Sequence, residues 1–157
     1  YTGLRIGAAS AKGFCYGLKI PLIAINSLET MIEPFLNKNF DYIIPLIDAR
    51  RMEVYTAVFD GNSGEMISET EAKILDETSF QEFAGKKVIF VGDGATKAKE
   101  ILQLQDAEFN DKIYPSAKYL IKKSIGKFNK KEFEDVAYFE PFYLKDFHGV
   151  KKKKSGE

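Results

Sequence analysis

Three runs of the chain carry almost no polar surface, and they leave few folds open. Residues 18–25 read Leu-Lys-Ile-Pro-Leu-Ile-Ala-Ile, residues 42–48 read Tyr-Ile-Ile-Pro-Leu-Ile-Asp, and residues 87–91 read Lys-Val-Ile-Phe-Val. Runs this short and this apolar predict strands, the first of them buried on both faces and the second buried as well. Pro21 puts the first of them at a strand beginning or a sheet edge. Helical patterns flank them. Residues 2–14 form a small-residue helix with Gly17 as its expected C-cap. Residues 27–36 place Leu28, Ile32, Phe35 and Leu36 at helical spacing behind a cap at Asn26 or Ser27. Helix, strand, helix is the pattern of an α/β layer.

The polar break at 37–41 is read as a lobe boundary. Beyond it, strands at 42–48, 52–59 and 66–75, joined by turns at 49–51 and 60–65, predict an antiparallel meander. A short helix at 76–83, capped at Asp76 or Thr78, precedes the 87–91 strand. A helix follows at 95–104, then a weak strand or loop at 107–113. A last helix begins at 114–116 and ends at 125–128, with Ala117, Leu120, Ile121 and Ile125 as its inner face. Residues 143–147 are expected to anchor the end of the fold, and Lys151 to Lys154 to form a mobile basic tail.

The totals narrow the function. A chain of 157 residues supports one domain or two small lobes. Formal net charge is zero, so bulk charge gives no argument for nucleic acid. The one cysteine, Cys15, excludes an intrachain disulfide framework and a multi-cysteine metal site, and points to a reducing, cytoplasmic setting. No apolar run approaches the ~20 residues of a membrane span, so no membrane partner is expected.

The opening helix is the least ordinary stretch. Gly3, Gly7 and Ala11 fall at i, i+4 and i+8, and Ala8, Ser10 and Gly13 widen the strip. Glycine inside a helix costs about 1 kcal/mol relative to alanine, so close approach of another backbone is the usual reason for it. That backbone belongs either to the chain's own sheet or to another protein.

Six blocks in order carry a resemblance. They are Thr2-Gly3-Leu4-Arg5-Ile6-Gly7 with Ala11-Lys12-Gly13, Ile20-Pro21-Leu22, Asn26-Ser27-Leu28-Glu29, residues 47–55 (Ile-Asp-Ala-Arg-Arg-Met-Glu-Val-Tyr), Val91-Gly92-Asp93-Gly94, and residues 140–145 (Glu-Pro-Phe-Tyr-Leu-Lys). Together they resemble the TsaB (YeaZ) family, which serves threonylcarbamoyladenosine biosynthesis in bacterial tRNA. The resemblance implies an α/β fold of the actin-like, Hsp70-like (ribonuclease H-like) ATPase superfamily. Residues 1–41 would be the end of the first lobe, 42–150 the second lobe and 151–157 a basic tail. It also implies that a Gly-rich turn and opening strands belong ahead of Tyr1.

The resemblance implies a function as well: a non-catalytic subunit that binds and stabilises a TsaD-type transferase, with a TsaE-type ATPase completing the assembly. tRNA would be met indirectly, through the complex. No cofactor is expected on this chain; ATP and metal would sit on the partners. The partner surface would comprise Thr2, Gly3, Leu4, Ile6, Gly7, Ala8, Ser10, Ala11 and Cys15, with Arg5 and Lys12 at the rim. A homodimer through the same helix, or an enzyme of the same superfamily (a small-molecule kinase or peptidase-like hydrolase), are the competing expectations.

Other candidate sites weigh less. Gly92-Asp93-Gly94, between a strand and a helix, could receive a phosphate but reads better as a tight glycine turn. Asp48 and Arg50 are read as structural residues at the hinge between lobes, with Glu53 near enough to pair with Arg50 or Arg51. His148, the one histidine, stands beside Asp146 and Gly149 and belongs to no metal-binding motif. Lysines 118, 122, 123 and 127, with the tail, would add at most salt-dependent RNA affinity.

Overall fold

The computed structural model describes residues 2–145. Among them, six strands form one mixed sheet: β1 (Tyr42–Asp48), β2 (Glu53–Thr56), β3 (Phe59–Asp60), β4 (Glu71–Ile74), β5 (Val88–Val91) and β6 (Ala107–Asn110). The order is β4-β2-β1-β5-β6, with β3 also on β1. β1, β5 and β6 run parallel, and β2, β3 and β4 form the antiparallel part. The helices are α1 (Thr2–Leu18), α2 (Ser27–Ile32), α3 (Ala95–Ile101) and α4 (Ile121–Lys130).

Successive side chains of a strand point to opposite faces, so one apolar run feeds two cores. Ile44, Leu46, Val54 and Phe90 pack with Phe80 and with Ala95 and Ala98 of α3. Ile43, Phe59, Ile89 and Val91 pack with Leu28, Met31 and Ile32 of α2. The strands expected at 42–48 and 87–91 therefore form, and Ile43 to Leu46 and Val88 to Val91 are buried on both faces. α2 lies before the boundary read at 37–41, and it packs on the sheet. Its N-cap is Asn26, whose side-chain oxygen accepts the Leu28 N–H at 2.9 Å.

Several elements differ from the sequence reading. Residues 18–25 form no ladder among the described residues. Leu22 makes a single bridge, to Glu134, and Ile20 is exposed. An apolar run becomes a strand only if a partner backbone lies beside it, and Pro21 has no N–H to donate. α1 does not stop at Gly17. It ends at Lys19 (φ 54°), with Ile20 N–H donating to Cys15 O at 3.1 Å and Lys19 N–H to Tyr16 O at 3.4 Å. This is a Schellman closure built on lysine.

The strand expected at 52–59 appears as β2 and β3 in one register against β1. The ladder breaks between them where the register sets Ala57 opposite Pro45, which has no N–H to donate, and the Val58 N–H donates outward to Ser68 Oγ at 2.9 Å. Of the third strand expected at 66–75, only β4 and an isolated Phe59–Met66 bridge form. The helix expected at 76–83 is a string of turns. Asp76 Oδ1 accepts Thr78 N–H, Thr78 Oγ1–H and Ser79 Oγ–H, and one 3-10 turn follows at Gln81–Phe83. Local side-chain bonds of this kind compete with helix formation.

α4 begins later than expected and runs on to Lys130, ending at Lys131 (φ 58°). Its orientation also differs. Ile121 and Ile125, expected inside, are 65% and 56% exposed. The inward side carries lysines: Lys123 pairs with Glu29 at 2.7 Å and Lys127 donates to Ala24 O at 3.0 Å. Periodicity identifies an apolar stripe but not what covers it.

Candidate functional site

α1 is 17 residues long and none of them is buried. It is tied to the rest of the chain by polar bonds to the returning segment 135–145. The Lys12 ammonium donates to Ala137 O and Phe139 O, both at 3.0 Å. Arg5 Nε donates to Tyr143 Oη at 3.3 Å, and its guanidinium lies 5.6 Å from the Tyr143 ring centroid. Cys15 Sγ approaches Pro21 O at 3.6 Å. The expected rim residues, Arg5 and Lys12, are thus engaged by the chain itself.

The other expected interface residues divide over the helix. Gly3, Leu4, Gly7, Ala8 and Ala11 line an open, mainly apolar groove of about 1080 Å³ between α1, residues 22–29 and the returning segment. Thr2, Ile6 and Ser10 are exposed and do not line it. A Cβ built on Gly3 or Gly7 meets nothing within 4 Å. Nothing among the described residues requires these glycines to be small. Phe14, outside the expected set, is 68% exposed on the same helix.

A second constellation sits where β1 and β5 end. Lys97 of α3 reaches back so that its ammonium donates to Asp48 Oδ1 at 2.7 Å, Arg51 O at 3.0 Å and Glu53 O at 2.5 Å. The Asp48 N–H donates to Asp93 Oδ1 at 2.8 Å, and Arg50 N–H to Asp48 Oδ1 at 2.6 Å. The Lys97 hydrogen bond, followed by the Arg50 N–H, holds the Asp48 carboxyl below its usual range. Glu53 pairs with Lys145, not with Arg50 or Arg51 as the sequence suggested. Lys97 drew no attention in the sequence because its three acceptors lie 44 to 49 residues away.

The Gly92-Asp93-Gly94 turn is a packing turn. Gly92 has φ 115°, and a Cβ there would lie 2.3 Å from Met31 Cε and 2.4 Å from Leu46 O. The N–H groups of Gly92, Gly94 and Ala95 donate to Asn110 O, Leu46 O and Gly92 O, so none of them is free for a phosphate. Among the described residues, no three His, Cys, Asp or Glu side chains are placed to hold a metal ion. No helix among them is long and apolar enough to cross a membrane. His148 and the lysine tail at 151–154 lie outside the described residues, as do Tyr1 and residues 146–147 of the 143–147 anchor.

A mixed sheet with α2 on one face and α3 on the other, together with the family match that follows, is an α/β fold of the actin-like, Hsp70-like (ribonuclease H-like) type. The chain belongs to the family described as "TsaD: tRNA N6-adenosine threonylcarbamoyltransferase", whose model matches residues 1–148. Curated relatives bear the name tRNA threonylcarbamoyladenosine biosynthesis protein TsaB. The Escherichia coli (strain K12) protein is 31% identical over 157 residues, covering 93% of this chain and 66% of the relative. The Bacillus subtilis (strain 168) protein is 31% identical over 107 residues, covering 66% of this chain and 46% of the relative. The chain therefore spans about half to two thirds of the length of these relatives. YeaZ from Pseudomonas aeruginosa superposes with a TM-score of 0.74 at 19% identity, over 91% of this chain and 69% of that one. That likeness is one of fold.

Proposed function

We propose that this chain is a non-catalytic partner subunit of a tRNA threonylcarbamoyladenosine-forming assembly in the cytoplasm, and that it docks through α1 on a TsaD-type transferase subunit. A TsaE-type ATPase completes the assembly. The observation that carries the reading is α1 itself, a helix with no buried residue whose glycines face open space. Glycine is destabilising in a helix, and no contact within the described chain compensates it. Close packing of a partner backbone supplies the missing compensation through many small dispersion contacts. The names of the curated relatives supply the pathway, and the family supplies the partner type.

The test is the mass of the mixture with a TsaD-type subunit, by size-exclusion chromatography with light scattering. The wild-type protein is expected to give a one-to-one complex. Gly7→Leu is expected to abolish it while leaving the thermal transition of the sheet in place, because a Cβ at this position meets nothing within 4 Å and the helix is outside both cores. A Gly7→Leu complex of unchanged mass and affinity overturns the docking surface. A stable homodimer that ignores the TsaD-type subunit assigns α1 to self-pairing instead.

A further inference from the structure

The tip between β1 and β2, residues 49–52, lines no part of the groove beside α1. Arg50 and Arg51 are the only two consecutive non-glycine residues at positive φ among the described residues, at 70° and 53°. Each costs about 1 kcal/mol or more relative to glycine there. The conformation is held from below, by the Arg50 N–H on Asp48 Oδ1 and by the Lys97 ammonium on Arg51 O and Glu53 O. The nearby acids are already engaged. Asp48 pairs with Lys97, Glu53 pairs with Lys145, and Asp93 accepts the Asp48 amide. Both arginines are exposed, and among the described residues neither guanidinium makes a hydrogen bond or ion pair. The fold thus keeps a strained backbone fixed and presents on it two guanidinium groups with open hydrogen-bond donors, that of Arg50 acting on Asp48 only through its charge.

We propose that Arg50 and Arg51 contact the phosphate backbone of RNA directly, an inference that rests on the tRNA-modification reading above. A guanidinium fork matches phosphate oxygens, and such contacts fix register without reading sequence. They work at an exposed tip. A carboxylate on a protein partner would instead gain most inside a desolvated rim, and here Met52, itself 43% exposed, is the apolar cover at the tip. The contact is a point of positioning for the RNA, separate from the docking helix.

The experiment is binding of an unmodified tRNA transcript, read by fluorescence anisotropy over a series of salt concentrations, to the protein alone and to its mixture with the TsaD-type subunit. The slope of log affinity against log salt is about 0.7 to 0.9 per phosphate contact. Arg50→Gln/Arg51→Gln is expected to lower its magnitude by about 1.4 to 1.8. Arg50→Lys/Arg51→Lys is expected to retain most of it, with all variants melting alike. Wild-type protein that binds no tRNA, or a glutamine variant with the wild-type slope, overturns the proposal. So does a glutamine variant that loses the TsaD-type subunit at unchanged RNA slope, which would assign the tip to an acidic protein surface. Because the slope of the protein alone needs no partner, a failed RNA contact is distinguishable from a failed docking reading.

Discussion

The sheet and α1 obey opposite rules. In the sheet, every apolar side chain of β5 is buried, and each has a named neighbour on α2 or α3. In α1, no side chain is buried, and the ties to the chain are hydrogen bonds from Arg5 and Lys12, with Cys15 close behind. Buried apolar area stabilises at roughly 25 cal/mol per Å². The sheet therefore holds the fold, and α1 draws little from it. A helix this poorly covered is the part of the molecule free to give its surface to something else.

The sharpest contrast is between two phenylalanines. Phe90 is fully buried, 5.1 Å from the Phe109 ring centroid and 5.2 Å from that of Phe80. Phe90→Ala should cost about 3–5 kcal/mol. Phe14→Ala on α1 should stay within about 0.5 kcal/mol. Paired thermal or urea unfolding curves check both. A Phe14→Ala loss approaching that of Phe90→Ala would mean that α1 is part of the core after all.

Two glycines give the next contrast. Gly92→Ala forces a Cβ against Met31 and the Leu46 carbonyl at φ 115°, so it should destabilise by several kcal/mol, on the order of other overpacked and strained sites. Gly7→Ala places a methyl group in open space and should stabilise the isolated chain by up to ~1 kcal/mol. If both variants lose stability, the space around Gly7 is not open in solution.

These contrasts also mark what was legible in the sequence. β1 and β5 were readable because their runs are apolar on both faces, and a sheet has to cover such a run. Asn26 was readable as a cap because its bond is to Leu28, two residues on. The strand expected at 18–25 and the inner face expected for Ile121 and Ile125 failed for one shared reason. Both are apolar stripes that other elements leave largely uncovered among the described residues, and periodicity carries no information about a partner. Lys97 was invisible for the opposite reason. A lone lysine on a short helix has no pattern, and its role arises only when β1, β2 and α3 meet. The residues named on α1 came from the resemblance, and the division of the helix into a groove-lining side and an exposed side needed the fold.

The smallest expected effect separates the two regions by pH. The folded Asp48 carboxyl is held below its unfolded value, chiefly by the Lys97 hydrogen bond and then by the Arg50 N–H. The unfolded chain therefore binds this proton more readily as acid is added. The stabilisation from Asp48 is complete above the unfolded carboxylate value of about 3.9, and it is lost as pH falls through the lower folded value. Asp48 is largely solvent-facing, so screening keeps the effect modest. Asp48→Asn should lower stability at neutral pH and flatten the acid limb below about pH 4. Lys97→Met should flatten the same limb, because it removes the main cause of the shift, and it should cost more at neutral pH, because two backbone carbonyls lose their donor as well. Lys12 donates to two backbone carbonyls and forms no ion pair among the described residues, so Lys12→Met should leave the acid limb unchanged while loosening the helix. An acid limb that moves with Lys12 and not with Lys97 would place the titrating contact on α1 and reverse the assignment of which region carries pH-dependent stability.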